Sequence, residues 1–513
     1  MVNLPIYNVA ADLIDRNLVA GRGDKVAFID PHRQVTYAQL SAEARQVANL
    51  MKTLGLRRED RVAMIMLDTI EFPAVFLGAI LAGIVPVPLN TALTPDTYAY
   101  MLADSRANAL FIAAPLHAAL EPALADLPDL EHVVVVGGEA PEGTTDFAQV
   151  VAGQAKECPP VATHPDEPAF WLYSSGSTGT PKGVKHLHTS PMATARLYAQ
   201  GVLGIREDDV CLSAAKLFFA YGLGNALSFP MSVGATTVLD PGRPTPALMF
   251  DLLGKHNPTL FFAVPTLYAA MVGDPAHAEA KGSQRLRLCV SAGEALPAHI
   301  GKKWHGRFGV DILDGVGSTE LLHIFLSNTP GEVVYGTSGV AVGGYDLRLV
   351  NEQGADAAVG EIGELLVRAP SAAEGYWNQR DKSRCTFEGD WTRTGDKYTC
   401  DASGRYTYCG RTDDMFKVSG QWVSPFEVEQ ALAGHPAVLE AAVIAAEDSD
   451  GLTKPKAFVV LKADAKGAGL DETLKDHVKG AIGSWKYPRW VEIVDSLPKT
   501  ATGKIQRFKL RGG

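Results

Sequence analysis

An α/β architecture is predicted for this chain of 513 residues. It has a large N-terminal domain of layered αβ sheets, a small β subdomain and a small α+β C-terminal domain. Three observations carry the prediction. Through the first four hundred residues or so, short runs rich in β-branched residues alternate with segments of helical apolar periodicity, the pattern of parallel βαβ layers. From Gly339 the texture changes to short strands and turns. At residues 410–414 charged and glycine residues cluster, and a second α+β pattern begins.

In chain order, strands are predicted over 62–66, 109–113, 132–136, 236–239, 259–263, 286–291 and 310–313, with helices over 37–54, 94–104, 189–198 and 246–255 between them. The uncharged stretch 72–89 is the most membrane-like, but Pro73, Pro86 and Pro88 would break a spanning helix and free backbone groups that lipid cannot satisfy. It reads instead as a buried helix over 73–83 leading into a buried strand over 84–89. The β subdomain takes strands over 346–350, 364–367 and 404–409. The last pattern has helices over 425–432 and 474–482 and strands over 438–444, 457–461 and 490–494. The division expected is 1–410, a joint at 411–414, and 415–513.

Composition narrows the partners. The chain is 46% hydrophobic and 20% charged, with a formal net charge of −11. An acidic chain lacks the electrostatic footprint of a nucleic-acid binder, and an anionic ligand must be held by a focused set of donors because the global field repels it. The six cysteines are scattered, with no Cys-x-x-Cys and no zinc-type spacing. Asp12 and Asp15 stand where a signal peptide would want basic and then unbroken apolar residues. A cytoplasmic enzyme with reduced thiols is expected, monomeric or homodimeric, with neither nucleic acid nor membrane as a partner.

The most informative stretch is Tyr173-Ser-Ser-Gly-Ser-Thr-Gly-Thr-Pro-Lys-Gly183. Glycines let successive backbone N–H groups converge on an anion, hydroxyls add neutral donors, and Lys182 supplies a point charge. A serine-glycine run is often only a flexible turn; the order of hydroxyls, glycines, proline and lysine argues for a phosphate loop. It is not a Walker loop, because Gly183 follows Lys182. Nor is it a hydrolase elbow, because Ser175 stands two residues before Ser177. A strand over 169–172 is predicted ahead of it, with Thr189 capping a helix behind. Gly222-Leu-Gly224 lacks a third glycine at dinucleotide-binding spacing and reads as a close turn.

This loop recurs with four further motifs: Asp314-Gly-Val-Gly-Ser-Thr-Glu320, Trp391-Thr-Arg-Thr-Gly-Asp396, Gly410-Arg-Thr-Asp-Asp-Met-Phe-Lys-Val-Ser-Gly420 and Pro498-Lys-Thr-Ala-Thr-Gly-Lys504. In this order, over nearly the whole chain, they resemble the adenylate-forming superfamily of acyl-CoA synthetases, adenylation domains and luciferases. The aryl-CoA ligase branch is the nearest in look, benzoate- and hydroxybenzoate-CoA ligases above all. That rests on Ala214-Ala-Lys-Leu-Phe-Phe-Ala-Tyr-Gly-Leu-Gly-Asn225, Ser291-Ala-Gly-Glu-Ala-Leu296 and Gly317-Ser-Thr-Glu-Leu-Leu-His-Ile-Phe325. The resemblance implies the acyl-CoA synthetase fold with a mobile C-terminal domain, ATP and CoA as co-substrates, Mg²⁺, and an aromatic carboxylate as the acid. A stand-alone enzyme loading a carrier protein is the more distant alternative.

The resemblance also implies roles. Ser174, Ser175, Gly176, Ser177, Thr178, Gly179 and Lys182 would cradle phosphates; Gly293, Glu294, Ala295, Asp314, Gly315, Val316 and Ser318 would surround the nucleotide, with Val316 where many relatives stack an aromatic on adenine. Thr319 would reach the α-phosphate and Glu320 would hold Mg²⁺, a hard oxygen donor for a hard cation. Asp396 would accept from the ribose hydroxyls and Arg411 would bridge ribose and phosphate. Lys504 would offset the charge that builds as carboxylate and α-phosphate approach. Asp413 would be the pivot that brings Lys417, Ser419 and Gly420 to a pantetheine path. Ala220, Tyr221, Gly222, Gly317, His323 and Ile324 would line a ring pocket in which Gly315 and Gly317 leave a slot for something flat. If Glu320 starts a helix, His323 and Ile324 share its face.

Overall fold

The computed structural model describes residues 5–124, 126–175, 180–418, 421–449, 451–462, 465, 469–483, 485–499 and 505–511. The chain separates into two compact units, residues 1–346 with 368–392, and residues 347–367 with 393–513.

The first unit is built on two parallel-dominated sheets. One has nine strands, in the order Val340–Ala341, Ile324–Ser327, Ile312–Gly317, Leu288–Ser291, Leu260–Ala263, Val210–Ser213, Thr236–Val238, Val26–Ile29 and Gln34–Thr36. Its central strands are parallel, and the Ile324–Ser327 strand turns back antiparallel on Ile312–Gly317. The other has five parallel strands, Val85–Pro88, Arg61–Ile65, Ala107–Ala113, His132–Val136 and Thr145–Asp146. Trp304, Tyr268 and Phe261 centre the core under the first sheet. A three-stranded sheet carries the Pro168–Ser175 and Pro181–Leu187 hairpin, with Gly375–Tyr376 paired on its edge.

The membrane-like stretch resolves as the sequence predicts. Glu71–Leu81 is a helix buried on every side from Phe72 onward, and Val85–Pro88 is a strand. Pro86 and Pro88 are tolerated because the strand pairs only with Arg61–Ile65 within its sheet, and an edge strand can spare ladder donors. Gly78 lets this helix meet its neighbour Tyr37–Thr53: a Cβ there would lie 2.6 Å from the Ala44 carbonyl oxygen. Among the described residues, no helix is long and apolar enough to cross a membrane.

The second unit contains strands Gly363–Arg368, Trp391–Cys400 and Tyr406–Arg411, the hairpin Phe416–Val418 and Gln421–Val423, and a three-stranded sheet of Val438–Glu447, Thr453–Leu461 and Trp490–Ile493. Helices Pro425–Ala433 and Leu470–Ile482 cover that sheet, burying Val428, Leu432, Leu474 and Val478 against Val443 and Val459. Contacts therefore group the small β sheet with the C-terminal fold. Arg507 explains part of this: it pairs with Asp414 at 3.2 Å and Glu429 at 2.6 Å, tying the chain end to the turn after Arg411.

Two local expectations need correction. Thr189 stands at the start of Ser190–Thr194 in helical geometry with no side-chain cap bond, and that helix widens into a π-helix at Ala195–Gln200. Gly222 and Gly224 lie in helix Ala220–Leu223 and π-helix Gly224–Ser228 rather than in a turn. Both glycines are required by close approach. A Cβ on Gly222 would sit 2.0 Å from the Lys216 carbonyl oxygen, and one on Gly224 would sit 2.3 Å from the His323 ring.

Candidate active site

The predicted phosphate loop is the tip of an antiparallel hairpin. Ser174 pairs with Lys182 and Ser175 with Pro181, so the strands hold both flanks of the loop in fixed register. Gly176, Ser177, Thr178 and Gly179 lie outside the described residues. The hairpin is pinned from behind: the Tyr173 hydroxyl donates to Asp104 at 2.6 Å, and Trp171 packs on Trp377 with ring centroids 4.7 Å apart.

Glu320 comes to this hairpin from the other side of the sequence. Its Oε1 accepts from the Ser174 hydroxyl at 3.3 Å and from the Tyr376 hydroxyl at 2.9 Å, while the Lys182 ammonium lies 4.4 Å from the centre of the Tyr376 ring. Tyr376 thus joins the lysine of the phosphate loop to the carboxylate. Nothing in the sequence reading singled it out; the signal available was Gly375-Tyr376-Trp377, in which Gly375 pairs with Lys185 and Tyr376 with Val184. No group of three or more His, Cys, Asp or Glu gathers among the described residues. A single carboxylate beside phosphates nevertheless fits Mg²⁺, which is usually held through one or two carboxylates and substrate phosphates.

Glu320 does not start a helix. The chain leaves strand Ile312–Gly317, turns through 318–323 and returns as strand Ile324–Ser327. Leu322 sits at φ 67°, a left-handed conformation that a bulky side chain rarely adopts and that costs about 1–3 kcal/mol. Such strain persists where the surroundings dictate it, and here both antiparallel strands do. The glycines of this motif make room for the chain itself rather than for an open slot. A Cβ on Gly315 would meet Ile324 Cδ1 at 2.9 Å, and one on Gly317 would meet the His323 carbonyl oxygen at 2.6 Å. Val316 is half-buried between them, paired with Leu326.

Asp314 is buried, and its Oδ2 accepts from the Leu296 backbone N–H at 3.3 Å. Burial pushes its carboxyl well above the usual carboxylate range. The side chain therefore ties Leu296 to the Ile312–Gly317 strand, directly after Gly293, Glu294 and Ala295 in the chain; Gly293 takes φ 95°, which favours glycine.

The acyl end is packed from aromatic rings. His323 is 2% exposed, with its ring 5.5 Å from that of Tyr221, 5.6 Å from Tyr198 and 4.4 Å from Phe229. Its Nε2 lies 3.2 Å from Asn225 Oδ1 and 3.3 Å from the Tyr221 carbonyl oxygen, so Nε2 carries the proton. Burial lowers its pKa to about 3, leaving the ring neutral. The Tyr221 hydroxyl donates to the Val290 carbonyl at 3.0 Å. Asn225, Tyr198 and Phe229 belong to this end too and were missed. Asn225 closes a motif already quoted; Tyr198 and Phe229 carry no local signal, because they arrive from π-helical and short helical segments.

In the second unit Asp396 and Arg411 are brought together. They face each other across strands Trp391–Cys400 and Tyr406–Arg411, with Arg411 Nη1 donating to Asp396 Oδ1 at 3.0 Å and to the Thr394 carbonyl at 3.1 Å. Asp413 is exposed at the following turn, and Lys417 pairs with Glu352 at 2.8 Å while lying over the Trp422 ring. Ser419, Gly420 and Lys504 lie outside the described residues.

Comparison with known proteins completes the site. The AMP-binding enzyme family matches residues 16–377, and the AMP-binding enzyme C-terminal domain matches 427–504. The chain belongs to the AMP-binding enzyme family. Within it the chain falls in the aryl-CoA ligase branch. It is 57% identical to a 4-hydroxybenzoate-CoA/benzoate-CoA ligase of Rhodopseudomonas palustris, over 98% of this chain and 94% of that protein. It is 54% identical to a benzoate-CoA ligase of Thauera aromatica, over 98% and 96%. Among solved structures, an anthranilate CoA ligase in complex with anthranoyl-AMP matches with TM-score 0.95 at 44% identity over 99% of this chain and 98% of that one. A benzoate CoA ligase from Burkholderia xenovorans matches with TM-score 0.90 at 48% identity over 99% and 100%.

Proposed function

We propose that this chain is a benzoate-CoA ligase, converting ATP, benzoate and CoA to benzoyl-CoA, AMP and diphosphate through a benzoyl-adenylate. The observation that carries the reading is the chemistry of the acyl end. We assign the His323 cluster as the acyl end and the Ser174, Lys182, Tyr376 and Glu320 cluster as the phosphate end. Every side chain assigned to the acyl end is uncharged, being apolar, aromatic, the Asn225 amide or an imidazole held neutral at a pKa of about 3, so the site suits an uncharged ring and offers no counter-charge to an amino acid. The curated relatives named for benzoate support it.

A carboxylate will not acylate a thiol directly, because oxide is too poor a leaving group. In the proposed first step a carboxylate oxygen attacks the α-phosphorus of ATP, a P–O bond forms, the bond to the bridging oxygen breaks, and diphosphate leaves. Two anions must approach, so neutralisation and alignment dominate the barrier. Ser174, Lys182 and the 176–179 loop bind phosphate oxygens, Thr319 reaches the α-phosphate, and Asp396 and Arg411 take the ribose. Glu320 would hold Mg²⁺, which supplies charge neutralisation on the phosphates. Lys504 is assigned between the carboxylate and the α-phosphate. In the second step the CoA thiolate attacks the acyl carbon and AMP departs, with Asp413 as the pivot that exchanges Lys504 for the 417–420 segment.

His323 Nδ1 favours a second reading. This ring nitrogen is an acceptor with no partner among the described residues, and a ring hydroxyl could donate to it, as in 4-hydroxybenzoate or 3-hydroxybenzoate. Purified protein incubated with ATP, Mg²⁺, CoA and each of the three acids decides the matter. Diphosphate and thioester should both form, with kcat/KM highest for benzoate. Diphosphate exchange without thioester from free CoA would point instead to a carrier-loading enzyme, and no diphosphate with any aromatic acid would end the reading.

A further inference from the structure

The acyl end hangs on a loop that makes few bonds of its own. Between strand Val210–Ser213 and helix Ala220–Leu223 the chain doubles back so tightly that Gly222 lies against the Lys216 carbonyl. Inside the loop, Ser213 donates to the Ala215 carbonyl at 2.9 Å and the Phe219 N–H donates to the Lys216 carbonyl at 3.0 Å. Three groups anchor it from outside. The Ala214 N–H donates to the Phe262 carbonyl at 2.8 Å. Lys216 Nζ donates to the Asp240 carbonyl at 2.5 Å, and the Leu217 N–H donates to both carboxylate oxygens of Asp68, at 3.2 and 3.4 Å.

Asp68 is unusual. It stands three residues beyond strand Arg61–Ile65 of the five-stranded sheet, while the loop it grips leaves the nine-stranded sheet. It is only 4% exposed, and Leu217 is fully buried. A carboxylate is not retained at such a place for packing: isolating one from water is costly unless bonds to it compensate. The charged groups whose fields reach it are Lys216, which favours its ionised form, and Asp240, which opposes it. The balance, dominated by burial, raises its pKa to about 6.

We propose that Asp68 is a positioning residue for the acyl pocket: it fixes the backbone at Leu217, and through it the placement of Ala220, Tyr221 and Gly222 against the aromatic ring of the substrate. This rests on the ligase reading above and extends it. Asp68 touches no substrate, and its effect is confined to the acid-binding side of the reaction.

The test uses the full-length enzyme with benzoate as the probe. Wild-type turnover of benzoate is established first, which checks the ligase reading by itself. In Asp68→Asn the backbone bond loses its charge, and in Asp68→Ala it is gone. KM for benzoate should rise about tenfold in the first and further in the second, with KM for ATP within about twofold of wild type, since a bond to a charged acceptor is worth more than one to a neutral acceptor. Wild-type kcat/KM for benzoate should fall as pH drops through about 6, where the buried carboxyl gains its proton, and the Asn variant should show no such limb. Should both variants fail to fold, the wild-type profile decides: a fall confined to the benzoate parameter supports the proposal. KM values for benzoate and ATP that rise together, an unchanged benzoate KM, or an acid limb retained in Asp68→Asn would each overturn it.

Discussion

The two ends of the first unit are built on opposite principles. At the acyl end the groups pack against one another: His323 lies among the rings of Tyr198, Tyr221 and Phe229, and Gly224 leaves only enough room for the imidazole. At the phosphate end, Ser174, Lys182, Tyr376 and Glu320 form a polar relay, and none of these four is fully buried except the tyrosine. On the proposed function, selectivity rests on packing, where a methyl group matters, and chemistry on charge, where a hydroxyl or an ammonium matters. Substitutions at the two ends should fail in different ways.

The largest effect belongs to charge. Lys504→Ala should lower adenylate formation by about 10²–10³, the scale of losing one group that stabilises transition-state charge, while a supplied benzoyl-adenylate still reacts with CoA. Diphosphate release and thioester formation measured separately check this. Equal loss in both half-reactions would remove Lys504 from its role.

Next comes packing. Gly224→Ala puts a methyl group into the His323 ring, because its Cβ would lie 2.3 Å from Cδ2. Overpacking of this kind costs about 1–3 kcal/mol. The variant should unfold at a lower temperature and bind benzoate poorly, with KM for ATP little changed. Unaltered stability would mean that the acyl end is looser than its geometry implies.

Tyr376→Phe tests the relay with a smaller cut. The ring under Lys182 stays and the hydroxyl on Glu320 goes. Adenylation should fall about tenfold, as for loss of one hydrogen bond to a charged group, and the Mg²⁺ concentration for half-maximal rate should rise. Calorimetric binding of ATP with Mg²⁺ gives an independent measure. A change in benzoate selectivity instead would dissolve the distinction between the two ends.

What could be foreseen follows the same division. A phosphate loop needs several donors within a few residues, so the segments that bring Ser174 to Glu320 and Asp396 to Arg411 stand out in the sequence as contiguous motifs. Strands and helices were legible where hydrophobic period was strong, as at His132–Val136, which matches its prediction to the residue. The acyl end was only half legible. Tyr198 and Asp68 come from distant segments, Phe229 follows directly on the helical run that starts at Ala220, and their roles arise from tertiary packing that leaves no local pattern. The helix expected after Glu320 failed for a related reason: the 318–323 turn is imposed by pairing of Gly317 with Ile324, and Leu322 accepts a left-handed backbone to meet it.

Acid stability gives the mildest test of the contrast, because neutral histidines are buried at both ends. His323 at the acyl end and His186 in the phosphate hairpin are lowered by burial from 6.5 to about 3, and His188 to about 4. Below pH 6.5 the unfolded chain takes up protons at these sites that the folded chain refuses, so each histidine destabilises the fold as pH falls, by about 1.4 kcal/mol per unit at most. Asp68 and Asp314 work the other way: their raised pKa values let the folded chain hold protons that the unfolded chain has lost, which adds stability as pH falls through the Asp68 value of about 6. Between about pH 6 and 4 these buried histidines and buried carboxyls therefore oppose one another. Removing one histidine should shift that balance toward stability at acid pH. His186 stacks on Phe170 with centroids 5.1 Å apart, so phenylalanine fits its slot, and His186→Phe should make stability at pH 5 relative to pH 7.5 higher than in the wild type by about 1–2 kcal/mol. Urea unfolding at the two pH values measures it, and identical pH slopes for variant and wild type would show that His186 is not the buried neutral group described.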